Sequence, residues 1–336
     1  MRPERSLILL LVLAGVGQGI FVFLAVADIA WGSYGWARPE VIYWLGVSSL
    51  AFAFAGMAAS LFHLGNPMRG WKAIIRWQSS WLSREAVSMG LFSGAAALYL
   101  LLYFFSAPSG LRTLVGLAGI FAAFALYISS AMLYARISFV REWSNKLTAI
   151  NFMAFGLASG VAVSYAVLCL LGFNYTAVRE IAAVLAAVGL ILKAASLAFN
   201  KTVYVPLDIK NALVMNEPNI KLMSTGTSYE HYNTKEYSSG FTDAQVRSVL
   251  ILSLFAAFVL PLIIWAVMTQ WPDTPAAGIL ASLAALSMIA GLIAERGLFF
   301  IQGNHLQNLY YATFRSNSAS NPLLSKAKKG TPAPVK

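Results

Sequence analysis

Eight long apolar runs dominate the sequence, and they constrain the fold more than any other feature. A helix needs about 20 apolar residues to cross the hydrocarbon core of a bilayer, and only helices and closed barrels satisfy their backbone hydrogen bonds there. The sequence therefore predicts an all-α polytopic membrane protein, an eight-transmembrane-helix bundle. Turn-forming residues separate the spans, which are expected at residues 6–30, 41–64, 86–106, 113–135, 147–172, 181–200, 248–271 and 277–302. Pro261 lies within the seventh span and is expected to kink it.

Composition and charge agree with a membrane protein. Hydrophobic residues make up 59% of the chain and charged residues 11%, whereas a soluble domain has about 25% charged residues. We call the membrane face that carries the N-terminus face A; with eight spans it also carries the C-terminus. Among the Lys and Arg of loops and tails, only Arg38, Arg112 and Arg179 fall on the opposite face. The positive-inside rule then predicts that face A and both termini are cytoplasmic and the protein lies in the cytoplasmic membrane. It also explains the net charge of +11 without nucleic acid.

The chain divides into an anchor and a tail. Residues 1–314 are expected to form the eight-helix membrane anchor domain, and 315–336 a basic C-terminal tail. The long loop 201–247 lies on face A and contains several tyrosines among mixed charges. Loops of this length are usually functional or disordered, and we interpret this one as a cytoplasmic docking surface.

The cysteine and histidine content limits the redox centres that the chain can hold. Cys169 is the only cysteine, and an iron–sulfur cluster needs about four ligands. The histidines are His63, His231 and His305, too few for a two-haem anchor. We therefore expect no haem and no metal site, although one haem between His63 and His305 stays open. A diffusible electron carrier is the favoured partner.

Residues 60–86, which we call the rim segment, carry the densest cluster of chemistry. His63 ends the second span, residues 68–78 read as an amphipathic stretch at the membrane interface, and Ser83 is expected to cap the third span, with Glu85 in its first turn. A quinone exchanges two electrons and two protons. Histidine titrates near neutral pH, and a partly desolvated carboxylic acid can hold a proton there. The candidate quinone-binding residues are His63, Arg69, Trp77, Trp81, Arg84 and Glu85.

Each of these residues also has a simpler explanation. His63 can be an interfacial histidine, and Glu85 can favour the start of a helix through the helix dipole. The arginines can be topology signals or phospholipid contacts, and the tryptophans an interfacial belt. Taken residue by residue, the composition of the segment favours these structural roles.

Two further sites place charge within the spans. Lys193 lies about two turns from the face A end of the sixth span. It either relays protons, together with His63 and Glu85, or extends its ammonium group to the interface. Glu295 and Arg296, near the end of the eighth span, are expected to pair with neighbours across the bundle and to have a structural role.

The rim segment resembles the signature of the DMSO reductase anchor family, DmsC. The string SLFHLGNPMRGWKAIIRWQSSWLSREA contains that family's His-Leu-Gly-x-Pro-x-Arg run and the Ser-x-Leu-Ser-x-Glu run that opens its third span. The resemblance extends along the chain, through the long loop before the seventh span to Glu295-Arg296, Phe299-Phe300 and His305. It implies a haem-free anchor that exchanges electrons with ubiquinone or menaquinone, with His63 and Glu85 as functional residues. It also implies two partners: a four-cluster iron–sulfur subunit and, through it, a molybdopterin catalytic subunit.

A cytoplasmic face A narrows what the resemblance implies. Within the family, membrane-bound complexes that oxidise sulfite to sulfate place their catalytic subunits in the cytoplasm, and a chain similar to their anchors would pass the electrons to quinone. The alternative in the same class is an anchor that oxidises menaquinol for a reductase.

Two other classes stay open. A transporter or channel usually has polar residues and broken helices near the midplane, often in two related halves; here only Lys193 and Pro261 are candidates, and no internal repeat is visible. A passive anchor without a quinone site is the third possibility.

Overall fold

Eight membrane-length helices make up most of the described part of the chain, as predicted. The computed structural model describes residues 4–32, 38–62, 67–203, 241–270 and 276–303. All regular structure in these residues is helical, and eight of the helices are long and apolar enough to cross a membrane. They are α1 Arg5–Trp31, α2 Pro39–Leu61, α3 Trp81–Phe104, α4 Ser109–Ala135, α5 Lys146–Leu170, α6 Thr176–Val203, α7 Asp243–Met268 and α8 Ala277–Gln302. A 3₁₀ helix, Pro67–Arg76, lies between α2 and α3.

Three helices start five residues earlier than predicted, because polar residues extend them beyond their apolar runs. Helices α3, α6 and α7 begin at Trp81, Thr176 and Asp243 rather than at 86, 181 and 248. At α7 the extension is stabilised by a capping box, in which Thr242 and Gln245 satisfy each other's backbone N–H groups. The apolar run therefore marks the membrane-crossing part of a helix and not its ends.

The helices pack as two four-helix halves with the same order of neighbours. In α1–α4 and again in α5–α8, consecutive helices are in contact and the last returns to the first. Helix α1 packs against α5, and α1–α8 and α4–α5 contacts flank that crossing. Helices α1 and α5 are consequently the most buried. This relation between the halves appears only in the packing, since the sequence shows no repeat.

Glycine allows the two halves to approach closely. A Cβ atom on Gly19 would overlap the carbonyl oxygen of Gly156, and one on Gly160 would overlap the carbonyl carbon of Gly19. Next to this crossing, the Tyr127 hydroxyl of α4 donates a 2.8 Å hydrogen bond to the Gly15 carbonyl of α1. In lipid, such close backbone contact replaces the hydrophobic effect as the source of helix association.

Contacts between helix ends identify the face A end of the bundle. Ile8 of α1 packs beside Gly297 of α8. The Trp143 indole, between α4 and α5, donates a 2.9 Å hydrogen bond to the Phe299 carbonyl of α8. The start of α1 and the end of α8 therefore lie at one end of the bundle, together with the α4–α5 connection.

The irregularity expected at Pro261 takes the form of a π-turn in α7, at Phe255–Val259. Proline lacks the N–H that would bond to the preceding turn, and its ring clashes with that turn; one wider turn relieves the clash. At this point α7 lies against α8, where a Cβ atom on Gly291 would overlap the backbone nitrogen of Ala257.

Candidate functional site

The rim segment ends in a capped helix start at face A. The Ser80 hydroxyl accepts a 3.4 Å hydrogen bond from the Ser83 amide. Ser80 is therefore the cap of α3, and the prediction that Ser83 has this role is wrong. Ser83 is instead buried within the first turn. Glu85 consequently lies one residue deeper than the first turn and faces the bundle interior.

Arg84 links the start of α3 to the turn that follows the 3₁₀ helix. Its Nε donates a 3.0 Å hydrogen bond to the Trp77 carbonyl, and its Nη2 donates one of 2.6 Å to the Gln78 carbonyl. The guanidinium group also stacks over the Trp81 ring, 4.3 Å from its centroid. These contacts hold the incoming chain against the start of the helix.

The surface of this rim is apolar and aromatic. Trp71 and Ile74 share one row of the 3₁₀ helix, at the spacing of three residues that this helix superimposes. Trp77 lies in the turn that follows, and all three side chains are exposed. Phe62, at the end of α2, is 87% exposed. The sequence predicted a helical amphipathic stretch here, and the structure has a 3₁₀ helix at Pro67–Arg76. Its location at the membrane interface stays a prediction.

Glu85 is a buried acid near the face A end of α3. It is only 8% exposed, and the Ser130 hydroxyl of α4 donates a 2.5 Å hydrogen bond to its Oε1. No cation of the described residues lies within ion-pair distance of it. Tyr134, one turn beyond Ser130, interacts electrostatically with the Glu85 carboxylate and with Arg296. Glu85 is thus a buried carboxyl group with a neutral hydrogen-bond partner on the neighbouring helix.

The structure separates the candidates into two groups. Trp77, Trp81 and Arg84 lie together at the outer rim, whereas Glu85 faces inward toward α4. The predictions for His63 and for the Arg69 side chain lie outside the described residues. So do His231, His305, most of the docking loop and the basic tail.

Lys193 is buried in an ion pair. It is 4% exposed, and its Nζ lies 2.5 Å from Oε1 of Glu295 on α8. The alternative that Lys193 extends to the interface is therefore wrong. Glu295 pairs across the bundle, as expected, and its Oε2 lies 3.7 Å from Nη1 of Arg296. The Arg296 guanidinium stacks on Phe152 of α5, 3.9 Å from the ring centroid.

Two cavities adjoin these charges. The first, with a cavity volume of about 20 Å³, lies at face A between α5, α6, α8 and the α4–α5 connection, and its lining includes Asn151, Lys193 and Arg296. The second, also of about 20 Å³, lies between the halves, and its lining includes Gln18, Ser130 and Arg296. Sequence reasoning missed Gln18, Ser130 and Tyr134. The signal was available, since Gln18 and Ser129-Ser130 interrupt apolar runs.

Known proteins resemble this chain along nearly its whole length. The family model described as the DMSO reductase anchor (DmsC) matches residues 1–301. A protein named as a sulfite dehydrogenase subunit, from Allochromatium vinosum, is 29% identical over 325 residues, which cover 93% of this chain and 99% of that protein. The family match includes the rim segment, Lys193 and the Glu295-Arg296 pair.

Proposed function

The chain belongs to the DMSO reductase anchor family and is a membrane anchor of an oxidoreductase complex; we propose that it binds quinone at face A and passes electrons between that quinone and an iron–sulfur partner. One observation carries the proposal. Glu85 is a membrane-buried carboxyl group at the rim, held by the Ser130 hydroxyl without an ion-pair partner in the described part of the chain. A charge in this position is costly, so buried ionisable groups in membranes are functional by default.

The rim has the surfaces that a quinone requires. The exposed aromatic and aliphatic side chains of Phe62, Trp77 and Leu82 suit an apolar ring and an isoprenoid tail arriving from the lipid. Glu85 has one oxygen in a hydrogen bond to Ser130 and lies between this surface and the bundle interior. These features support a head-group site between the ends of α2 and α3.

The reaction is a balanced two-electron exchange. Two electrons from the iron–sulfur partner and two protons taken up at face A convert the quinone substrate to quinol; the reverse direction releases the same particles. Glu85 passes a proton to one quinone oxygen and is reprotonated from face A, and His63 serves the other oxygen. Positioned acid–base groups of this kind contribute about 10²–10⁴-fold in rate.

The charge distribution supports a membrane side for the partner subunits, and the similarity to a known protein supports a source of the electrons. The cations concentrated on face A favour a cytoplasmic orientation, so the iron–sulfur subunit and a molybdopterin subunit would dock there. The relative's name, which assigns it to a sulfite dehydrogenase, supports electron transfer from sulfite oxidation to quinone. An anchor that oxidises menaquinol for a reductase is the alternative that the family name supports.

Glu85→Gln tests the site in the assembled complex. The substitution keeps size and hydrogen bonding but removes the exchangeable proton. Quinone-coupled turnover should fall by about 100-fold or more, while dye-coupled turnover of the partner subunits stays unchanged. Glu180→Gln is the matched control, because Glu180 is exposed at the other end of the bundle, near the start of α6. If Glu85→Gln retains quinone-coupled turnover in an intact complex, the site is wrong; if quinone-analogue titration detects no binding at all, the chain is a passive anchor.

A further inference from the structure

A series of polar groups extends from face A to Glu85. It passes through the second half of the bundle, α5–α8, and crosses to α4 of the first half. It begins in the face A cavity, where Asn151 and the Lys193–Glu295 pair contribute polar atoms. Arg296 lines that cavity and the inner cavity as well. Ser130 lines the inner cavity and donates its hydrogen bond to Glu85. Arg296 therefore lies between a cavity at face A and an inner cavity whose wall includes the hydrogen-bond partner of the buried acid.

Residues that line both cavities carry buried polar atoms without hydrogen-bond partners. Oδ1 of Asn151 and Oε2 of Glu295 in the first cavity, and Oε1 of Gln18 in the second, accept no hydrogen bond from any described residue. All three residues are more than nine-tenths buried. Buried polar groups are normally satisfied, by water where protein groups are missing, and a water needs about 10–15 Å³ of cavity with polar partners. Both cavities meet these conditions.

From this arrangement we propose that water in the two cavities forms a proton inlet, which enters at face A between α5, α6 and α8 and ends at Glu85. The inlet rests on the proposed function, since it supplies the acid of the quinone site. Apart from its end at Glu85, the inlet lies outside the rim segment, so protons and quinone reach Glu85 from different sides.

The charges along the inlet suit this role. Glu295 offsets one of the two positive charges of Lys193 and Arg296, which lowers the electrostatic barrier to a proton that crosses this region. An ionised Glu85, on the other side of the contact between the two halves, attracts the proton toward itself. Tyr134, which interacts with both Glu85 and Arg296, lies at the junction. The inlet therefore delivers a proton when Glu85 has given up its own, and the same path releases protons when quinol is oxidised.

Substitutions in the inlet that preserve shape test the proposal in the assembled complex. Lys193→Met combined with Glu295→Gln removes the protonatable pair but keeps the local net charge, because Arg296 remains. Gln18→Leu and Asn151→Leu each make one cavity wall apolar at nearly constant volume. We expect each variant to lower quinone-coupled turnover about tenfold, which corresponds to about 1.4 kcal/mol of barrier. The quinone KM should stay within about twofold of wild type, and the loss on transfer to D₂O should grow, because proton delivery becomes rate-limiting.

A matched control and a second readout keep the outcomes distinct. Ser164→Ala removes a buried hydroxyl of α5 that bonds only its own helix, at the Gly160 carbonyl, and should leave turnover and the isotope effect unchanged. Unchanged dye-coupled turnover shows that the complex has assembled. If the double variant fails to assemble, the turnover and isotope effect of Gln18→Leu and Asn151→Leu test the inlet. If the inlet variants have wild-type turnover and a wild-type isotope effect while Glu85→Gln is inactive, the proposed inlet is wrong and the proposed quinone site is retained. An active Glu85→Gln overturns the proposed function itself.

Discussion

The buried Lys193–Glu295 pair should make stability depend on which partner is removed. The wild-type group of Lys193, Glu295 and Arg296 has a net charge of +1. Glu295→Gln raises it to +2 and leaves two buried cations without an anion among them. Lys193→Met lowers it to zero, and Glu295 keeps Arg296 at 3.7 Å. The double variant restores +1, with the new amide at position 295 still able to accept a hydrogen bond from Arg296.

The burial of these three side chains sets the expected changes in the free energy of unfolding. Breaking a buried pair by removal of one partner costs about 3–5 kcal/mol, and we place Glu295→Gln in that range because it creates like-charge repulsion as well. Lys193→Met should cost about 2 kcal/mol, the penalty for a buried acceptor that loses a charged donor. The double variant should lie within about 1 kcal/mol of wild type, since replacing a whole buried pair is often close to neutral.

A double-mutant cycle in detergent measures this directly. Unfolding of the purified subunit is followed for the four proteins by the same probe, and the coupling free energy is the difference between the double variant and the sum of the single ones. We expect a coupling of several kcal/mol, with Glu295→Gln least stable. Additive effects, or a Glu295→Gln protein as stable as wild type, would refute the interpretation that these three side chains form one electrostatic unit.

Two further substitutions test the packing between the halves and the rim. Gly160→Val should prevent the α1–α5 crossing, because its Cβ would overlap the Gly19 backbone; loss of folded protein on size exclusion checks this, and Gly94→Val, which meets nothing within 4 Å, should fold normally. Arg84→Lys cannot donate to the Trp77 and Gln78 carbonyls in the planar geometry of Arg84, so protease cleavage between α2 and α3 should accelerate several-fold while unfolding of the bundle is unchanged. Equal cleavage rates would show that Arg84 does not hold this connection.

The fold could be predicted from the sequence, because each span satisfies its own backbone hydrogen bonds and so reveals itself by local hydropathy. The ends of the spans were less accurate. Ser80 rather than Ser83 caps α3, since two serines near one helix start offer the same local signal. The relation between the two halves could not be predicted from the sequence, because it depends on shape at Gly19 and Gly160 and not on repeated residues.

The candidate site was predicted only in part. Local motifs singled out Glu85, but not that its hydrogen-bond partner is Ser130 of the next helix. Lys193 was ambiguous, because depth along a helix does not say which way a side chain turns; the Glu295 carboxylate 102 residues later decides it. Arg296 was assigned only a structural pairing, and its place between two cavities follows from the meeting of α1, α4, α5 and α8.

Photo-crosslinking of the assembled complex with an azido-quinone tests the central claim most directly. Label mapped by mass spectrometry should fall on the end of α2 and the start of α3, within the rim segment, and excess unlabelled quinone should remove it. Label that is confined to the opposite end of the bundle, or to the partner subunits, would contradict a quinone site at Glu85.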